Sequence, residues 1–299
     1  MTPELKSYLK SQAAVVDKAL GKFIPTARTK PATVHDAMRY SIFAGGKRLR
    51  PIICLAAAEA CGGDLDRAMP AAAAVECIHT YSLIHDDLPC MDDDDLRRGM
   101  PTSHVKYGEG VAVLAGDALL TIAFEILAQT EPKPRSRYHV GDLVLELASA
   151  SGSKHLIGGQ IADLEGEGSD VQLTANELKF IHLNKTAALL TSSLRLGAMT
   201  ANATEAKLDA LTDFGRSLGL AFQVIDDILD VTQTTEKLGK SAGKDEATNK
   251  STYPAIYGLE KSRKEAIRLT KRAHAALEPL GKKADRLHEI AAYLLDREF

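Results

Sequence analysis

Apolar residues recur along this chain at three- and four-residue spacing, and nowhere does a period-two alternation persist. That pattern predicts helices near 3–22, 32–44, 51–61, 70–88, 111–129, 139–152, 174–199, 205–231, 251–258 and 260–279. The stops agree with it. Gly62-Gly63 closes one helix, Pro70 suits the first turn of the next, and Pro89 ends that one. No βαβ pattern, short-period repeat or low-complexity linker interrupts the series. The expectation is an all-α fold with one domain over 1–299.

Two segments depart from the period: Asp92–Gly110 and Thr232–Ser251, both polar. Each directly follows an aspartate cluster. Long polar loops inside a compact domain are commonly functional, so the second is expected to act as a lid.

Composition supports the helical reading. Hydrophobic residues make up 45% and charged residues 26% of the 299, with 5% aromatics and no Trp. Abundant Ala and Leu lose little side-chain freedom in a helix. A net charge of -3 offers no basic face, so no nucleic-acid partner is expected. The run Val111–Ala128 is interrupted by Asp117 and Glu125 and is expected to fall short of a membrane span. The opening residues lack a basic segment followed by an apolar run. Cys54, Cys61, Cys77 and Cys90 form no CxxC pair, so reduced thiols and a cytoplasmic location are expected.

The acids change the picture. Asp86, Asp87, Asp92, Asp93, Asp94 and Asp95 place six carboxylates within ten residues. Asp86 and Asp87 fall at a predicted helix C-terminus, where the macrodipole disfavours each by about 0.3–1 kcal/mol. A divalent cation removes that penalty, and carboxylate oxygens are natural magnesium ligands. The second cluster, Asp226, Asp227 and Asp230, shares one helix face with Gln223. Three acids on one stripe of an apolar helix are costly unless they meet water or a cation. The clusters lie 140 residues apart (226−86), and both open with a DD pair. Two such sets suit several magnesium ions on a diphosphate. An EF-hand is excluded, because Leu96 and Arg97 stand where its loop pattern needs other residues.

Basic residues complete the anion site. Gly45-Gly46-Lys47-Arg48-Leu49-Arg50-Pro51 is a glycine turn entering a helix, where free N–H groups and cations can hold phosphate. Arg97, Arg98, Lys185-Thr186 and the lysines of the second loop, Lys240 and Lys250 among them, add partners. Leu238-Gly239-Lys240-Ser241 looks like a P-loop tail, but position 234 is Thr and no strand precedes it. His79 and Ser82 line the same face as Asp86.

The segments GGKRLRP (45–51), AVECIHTYSLIHDDLPCMDDDDLRRG (74–99), Lys185-Thr186, GLAFQVIDDILD (219–230) and LGK…KSTYP (238–254) resemble the short-chain trans-prenyltransferases. Within that family they look closest to bacterial farnesyl diphosphate synthases. The resemblance implies an antiparallel helix bundle around a deep central cavity, usually a homodimer. It implies that Asp86, Asp87, Asp92 and Asp226, with Asp227 and Asp230 less directly, hold magnesium (manganese can substitute) on the allylic diphosphate. Arg97 would bind that diphosphate, while Gly46, Lys47, Arg50, His79 and Arg98 would hold isopentenyl diphosphate. Lys185, Thr186, Gln223 and Lys240 would line the ionising group, with Lys250 on the lid. Tyr81 and Ser82, just before the first motif, would set the pocket floor and thus product length. The implied reaction condenses isopentenyl diphosphate with dimethylallyl and then geranyl diphosphate, giving farnesyl diphosphate. The alternative within the family is a geranyl or geranylgeranyl diphosphate synthase. Head-to-head condensing or cyclising terpenoid synthases also use facing acidic motifs, but they do not need the second basic pocket supplied by 45–50, His79 and Arg98.

Overall fold

The computed structural model describes residues 1–130, 135–167, 173–232 and 252–295. Lys240, Lys250 and nearly all of the expected lid lie outside the described residues. The chain groups into two compact units, one of Met1–Leu145 with Leu196–Asn202, the other of Glu146–Arg195 with Ala203–Phe299.

The first unit contains α1 (Pro3–Phe23), α2 (Ala32–Ile42), α3 (Leu49–Ala60) and α4 (Leu65–Asp86). A two-residue ladder, β1 (Leu96–Arg97) with β2 (Met100–Pro101), follows, then α5 (Ser103–Tyr107) and α6 (Glu109–Ala128). The helix α4 packs chiefly on α6 and α3. Its alanines explain the closeness: Ala71, Ala72, Ala73 and Ala74 are fully buried, so backbones approach without side chains between them.

The sequence placed Pro70 in the first turn of a helix, but α4 begins at Leu65 and Pro70 lies inside it. The Asp64 side chain caps the Asp66 N–H at 3.0 Å and starts the helix early. Pro70 then forfeits only one early hydrogen bond. The stretch expected as a loop over 92–110 also differs, since it holds the ladder and α5. Arg98 and Gly99 occupy the two central turn positions with φ of 55° and 76°, as a two-residue hairpin turn requires. The helix α6 starts at Glu109, earlier than expected, and by length and composition it could cross a membrane. In this unit it packs along α4 and α2, and it carries Asp117 and Glu125, which hydrocarbon would penalise.

The chain then forms α7 (Val140–Ser151) and α10 (Ala188–Thr200), each with residues in both units. The second unit holds α8 (Leu156–Glu167), α9 (Ala175–Ile181) and α11 (Glu205–Thr232). It also holds α12 (Tyr253–Tyr257), α13 (Leu259–Ala276), a 3₁₀ segment (Glu278–Ala284) and α14 (Asp285–Leu295). The helix predicted over 174–199 is broken by a π-turn, His182–Ala187. The helices α8 and α14 were not expected. Gly158-Gly159 hides α8 from the apolar period, yet a Cβ on Gly159 would lie 2.3 Å from the Lys185 backbone nitrogen. Glycine there lets α8 touch the π-turn.

A buried ion cluster ties the first unit together. Arg48, with φ 49° at the start of α3, donates through Nε to Asp17 (2.7 Å) and through Nη1 to Glu76 (2.7 Å). Its Nη2 donates to the Ile42 carbonyl at 2.5 Å. Burial alone would lower the Arg48 pKa, but Glu76 and Asp17 more than reverse that and raise it. Removing the cation strands a buried carboxylate, so Arg48→Met should cost about 3–5 kcal/mol. Thermal melts should show Arg48→Met/Glu76→Met recovering part of that loss; a double variant no better than the single would contradict this account.

Candidate active site

The first acidic motif is shaped by the end of α4. The Asp92 N–H donates to the Asp86 carbonyl at 2.8 Å, and the Met91 N–H donates to Leu88 at 2.8 Å. This short loop folds Asp92 back beside Asp86 and Asp87. Leu88 to Met91 are thus taken up in a turn. Asp86 and Asp87 are both buried. Arg97, from β1, donates through Nε to Asp87 at 2.6 Å, pairs with it again through Nη2, and lies 3.7 Å from Asp94. Burial raises the Asp87 pKa, with Arg97 opposing it.

The turn after Arg97 aims Arg98 the other way, onto the Gly45 carbonyl. Gly46 has φ 126°, and a Cβ there would meet Arg98 Nη1 at 2.5 Å. Only glycine admits both the backbone shape and the guanidinium. Gly46, Lys47, Arg48, Arg50, Glu76, His79 and Arg98 line an open cavity of about 620 Å³. Arg50 Nη1 donates to His79 Nε2 at 3.3 Å, while the Arg50 Nε is buried without a partner. Burial, then Arg50, Arg98, Arg97 and Arg48, push the His79 pKa well below its ordinary value. Burial also lowers the Arg50 pKa, with Arg98 adding to the effect, and burial lowers that of Arg98. A cluster of mutually repelling cations with an orphan donor is a site shaped for a polyanion. Of the expected residues, the structure therefore brings Gly46, Lys47, Arg50, His79 and Arg98 to one cavity.

Tyr81 and Ser82 lie on α4 before this motif, both buried. The Tyr81 ring stands edge-on to His85, with centroids 5.7 Å apart, and its hydroxyl is buried without a partner. Burial, helped by Asp86, raises its pKa to about 12. The Ser82 hydroxyl donates to the His79 carbonyl at 3.0 Å.

The second unit carries the remaining candidates. Lys185 and Thr186 sit on the π-turn, and Lys185 Nζ donates to Asp163 Oδ2 at 2.6 Å. Asp163 was missed from sequence because α8 was missed. Gln223 and Asp226 are half-buried on α11, and Asp227 and Asp230 are buried. Asp227 differs from the expectation of a metal ligand alone. Its Oδ2 accepts from His182 Nε2 at 3.2 Å and from the Tyr253 N–H at 2.9 Å.

A polyprenyl synthetase family model matches residues 31–292. The large subunit 1 of a heterodimeric geranylgeranyl pyrophosphate synthase from Arabidopsis thaliana is 51% identical over 97% of this chain and 77% of its own length. A geranylgeranyl diphosphate synthase from Cyanophora paradoxa is 46% identical over 98% of this chain and 96% of its own. The apo crystal structure of an FPP/GFPP synthase from Zymomonas mobilis superposes with a TM-score of 0.85 at 37% identity, covering 99% and 100% of the two chains. The chain belongs to the polyprenyl synthetase family.

Membership makes it a prenyltransferase of all-α isoprenoid synthase fold, a family that joins isopentenyl and allylic diphosphates. The family implies magnesium, and the donor chemistry fits it. Each motif offers only carboxylate oxygens, which are hard ligands. Among the described residues no three acid, imidazole or thiol groups form a ready cage.

The neutral His79 makes a pH prediction. Its folded pKa is depressed, so its contribution is fully present above about pH 6.5, the unfolded value, and is lost as pH falls further. In that window the unfolded chain gains a proton the folded one refuses, costing about 1.4 kcal/mol per pH unit. His79→Gln should be less acid-sensitive than wild type in thermal melts below pH 6.5. Parallel melting curves for the two proteins would show His79 to be protonated when folded.

Proposed function

We propose that this chain is a magnesium-dependent geranylgeranyl diphosphate synthase, adding isopentenyl diphosphate to allylic diphosphates until the product has twenty carbons. The observation that carries the product is the similarity, at 46–51% identity over nearly the whole chain, to relatives bearing that name. This favours the geranylgeranyl alternative over the farnesyl reading expected from the motifs. What supports a two-substrate condensation is the chemistry of the first unit, where an acidic motif and a separate cationic cavity stand on either side of Arg97-Arg98.

In this reading Arg50, Arg98, Lys47 and neutral His79 bind the isopentenyl diphosphate. Asp86, Asp87 and Asp92 in the first unit, and Asp226, Asp227 and Asp230 in the second, are the carboxylates that would hold magnesium, which when bound would neutralise charge on the departing allylic diphosphate. Arg97, held on Asp87, would add a second positive group beside that diphosphate. The allylic C–O bond breaks with both electrons going to diphosphate. The isopentenyl double bond attacks the cation, and a proton is lost, for which released diphosphate is the available base. Lys185 and Gln223 would line the region of the ionising allylic group, as the family resemblance implies. No side-chain nucleophile is required. We also propose a homodimer, for which Val113 and Leu114, exposed on α6, offer apolar surface.

Pure protein given isopentenyl and dimethylallyl diphosphates with magnesium should yield mainly a twenty-carbon alcohol after phosphatase treatment. A fifteen-carbon product would restore the farnesyl reading. Asp86→Ala and Asp226→Ala should each abolish nearly all turnover while far-ultraviolet circular dichroism stays unchanged. Near-normal rates in saturating metal would sink the metal assignment. Ser82→Phe adds a ring to a buried site at about 1–3 kcal/mol and should shorten the product. Tyr81→Ala should lengthen it, and unchanged products from both variants would place the floor elsewhere.

A further inference from the structure

We infer that His182 is a positioning residue that holds Asp227 for the second acidic motif and fixes the π-turn of Lys185 to the same carboxylate. The inference rests on the magnesium reading above. His182 and Asp227 are 45 residues apart in sequence and both buried. A carboxylate only accepts, so the His182 Nε2 must carry the proton it shares with Asp227 Oδ2. The Tyr253 N–H donates to the same oxygen, which leaves Oδ1 for a cation. The Tyr253 ring stacks on His182, with centroids 5.7 Å apart and planes 13° from parallel. Three elements thus meet at one oxygen: the π-turn, α11 and the start of α12.

The geometry explains why a π-turn occurs here. Its wider winding places His182 toward α11 and Lys185 toward Asp163 on α8, within one six-residue segment. π-bulges recur at functional sites because they redirect side chains in this way. A ligating carboxylate held by hydrogen bonds binds metal more tightly than one left loose, and loss of such a partner typically costs about 10- to 100-fold in metal affinity.

The test separates donor from ring. His182→Phe keeps the stack on Tyr253 and removes the donor; His182→Gln keeps a donor near the Nε2 position and removes the stack. In full-length, metal-free protein, hydrogen exchange at the Tyr253 amide should speed up in His182→Phe and stay near wild type in His182→Gln. With magnesium chloride, half-maximal turnover of His182→Phe should need about 10- to 100-fold more metal, with His182→Gln near wild type and KM for isopentenyl diphosphate unchanged in both. If His182→Phe does not fold, the same two measurements on His182→Leu take its place. Unchanged Tyr253 exchange and metal demand in the donor-less variant would overturn the inference, as would a His182→Gln protein no better than it. Wild-type turnover indifferent to magnesium would instead defeat the parent reading, while the metal-free exchange arm still reports on His182.

Discussion

Everything in the first unit hangs on a guanidinium kept out of water. Arg48 reaches an acid on α1, an acid on α4 and the last carbonyl of α2 from the position that precedes α3. A buried cation of this kind is worth little net energy against an apolar substitute, because its desolvation offsets the attraction. What it supplies is register. Four helices are fixed to one group, so the glycine turn before it and the C-terminal half of α4 cannot slide relative to each other. The cavity between Gly46, Arg50 and His79 keeps its shape for that reason.

That cavity is assembled in an unfavourable charge state. Burial lowers the pKa of Arg50 and of Arg98, Arg98 adds to the effect on Arg50, and burial together with these arginines holds His79 neutral. The folded protein carries this repulsion because the Arg48 cluster and the glycine turn leave the side chains little room to separate. On the proposed reading, an entering diphosphate would meet donors already oriented, which lowers the ordering cost of binding. The acidic motif a few residues away has the opposite sign, and the Arg97-Arg98 hairpin divides the two. One turn thus serves both, sending adjacent arginines in opposite directions.

The acidic motifs, the basic turn and the helical class were legible because they are local: a helix face, a glycine pair, a run of like charges. The start of α4 was misread because a proline outweighed an aspartate cap that chemistry favours. The helix α8 was hidden by two glycines whose reason lies in another element, as a glycine chosen for close approach looks the same in sequence as one chosen for a break. Asp163 was lost with it. His182 carried no signal, since nothing local shows that a lone histidine will meet Asp227 across 45 residues. Arg48 stood in the open within a motif, yet its role as a clamp depends on Asp17 and Glu76, which no spacing connects to it. Product length was the hardest to read, being a property of shape.

Gly159 has a consequence for anyone trying to make this protein sturdier. Within a helix, glycine is the residue that most invites replacement by alanine, a change that commonly yields up to about 1 kcal/mol. Here the missing methyl group is the space occupied by the Lys185 backbone. Thermostabilisation by helix propensity and preservation of the lysine's setting therefore compete at a single atom. A library selected on melting temperature alone would drift toward proteins with a better α8 and a displaced π-turn.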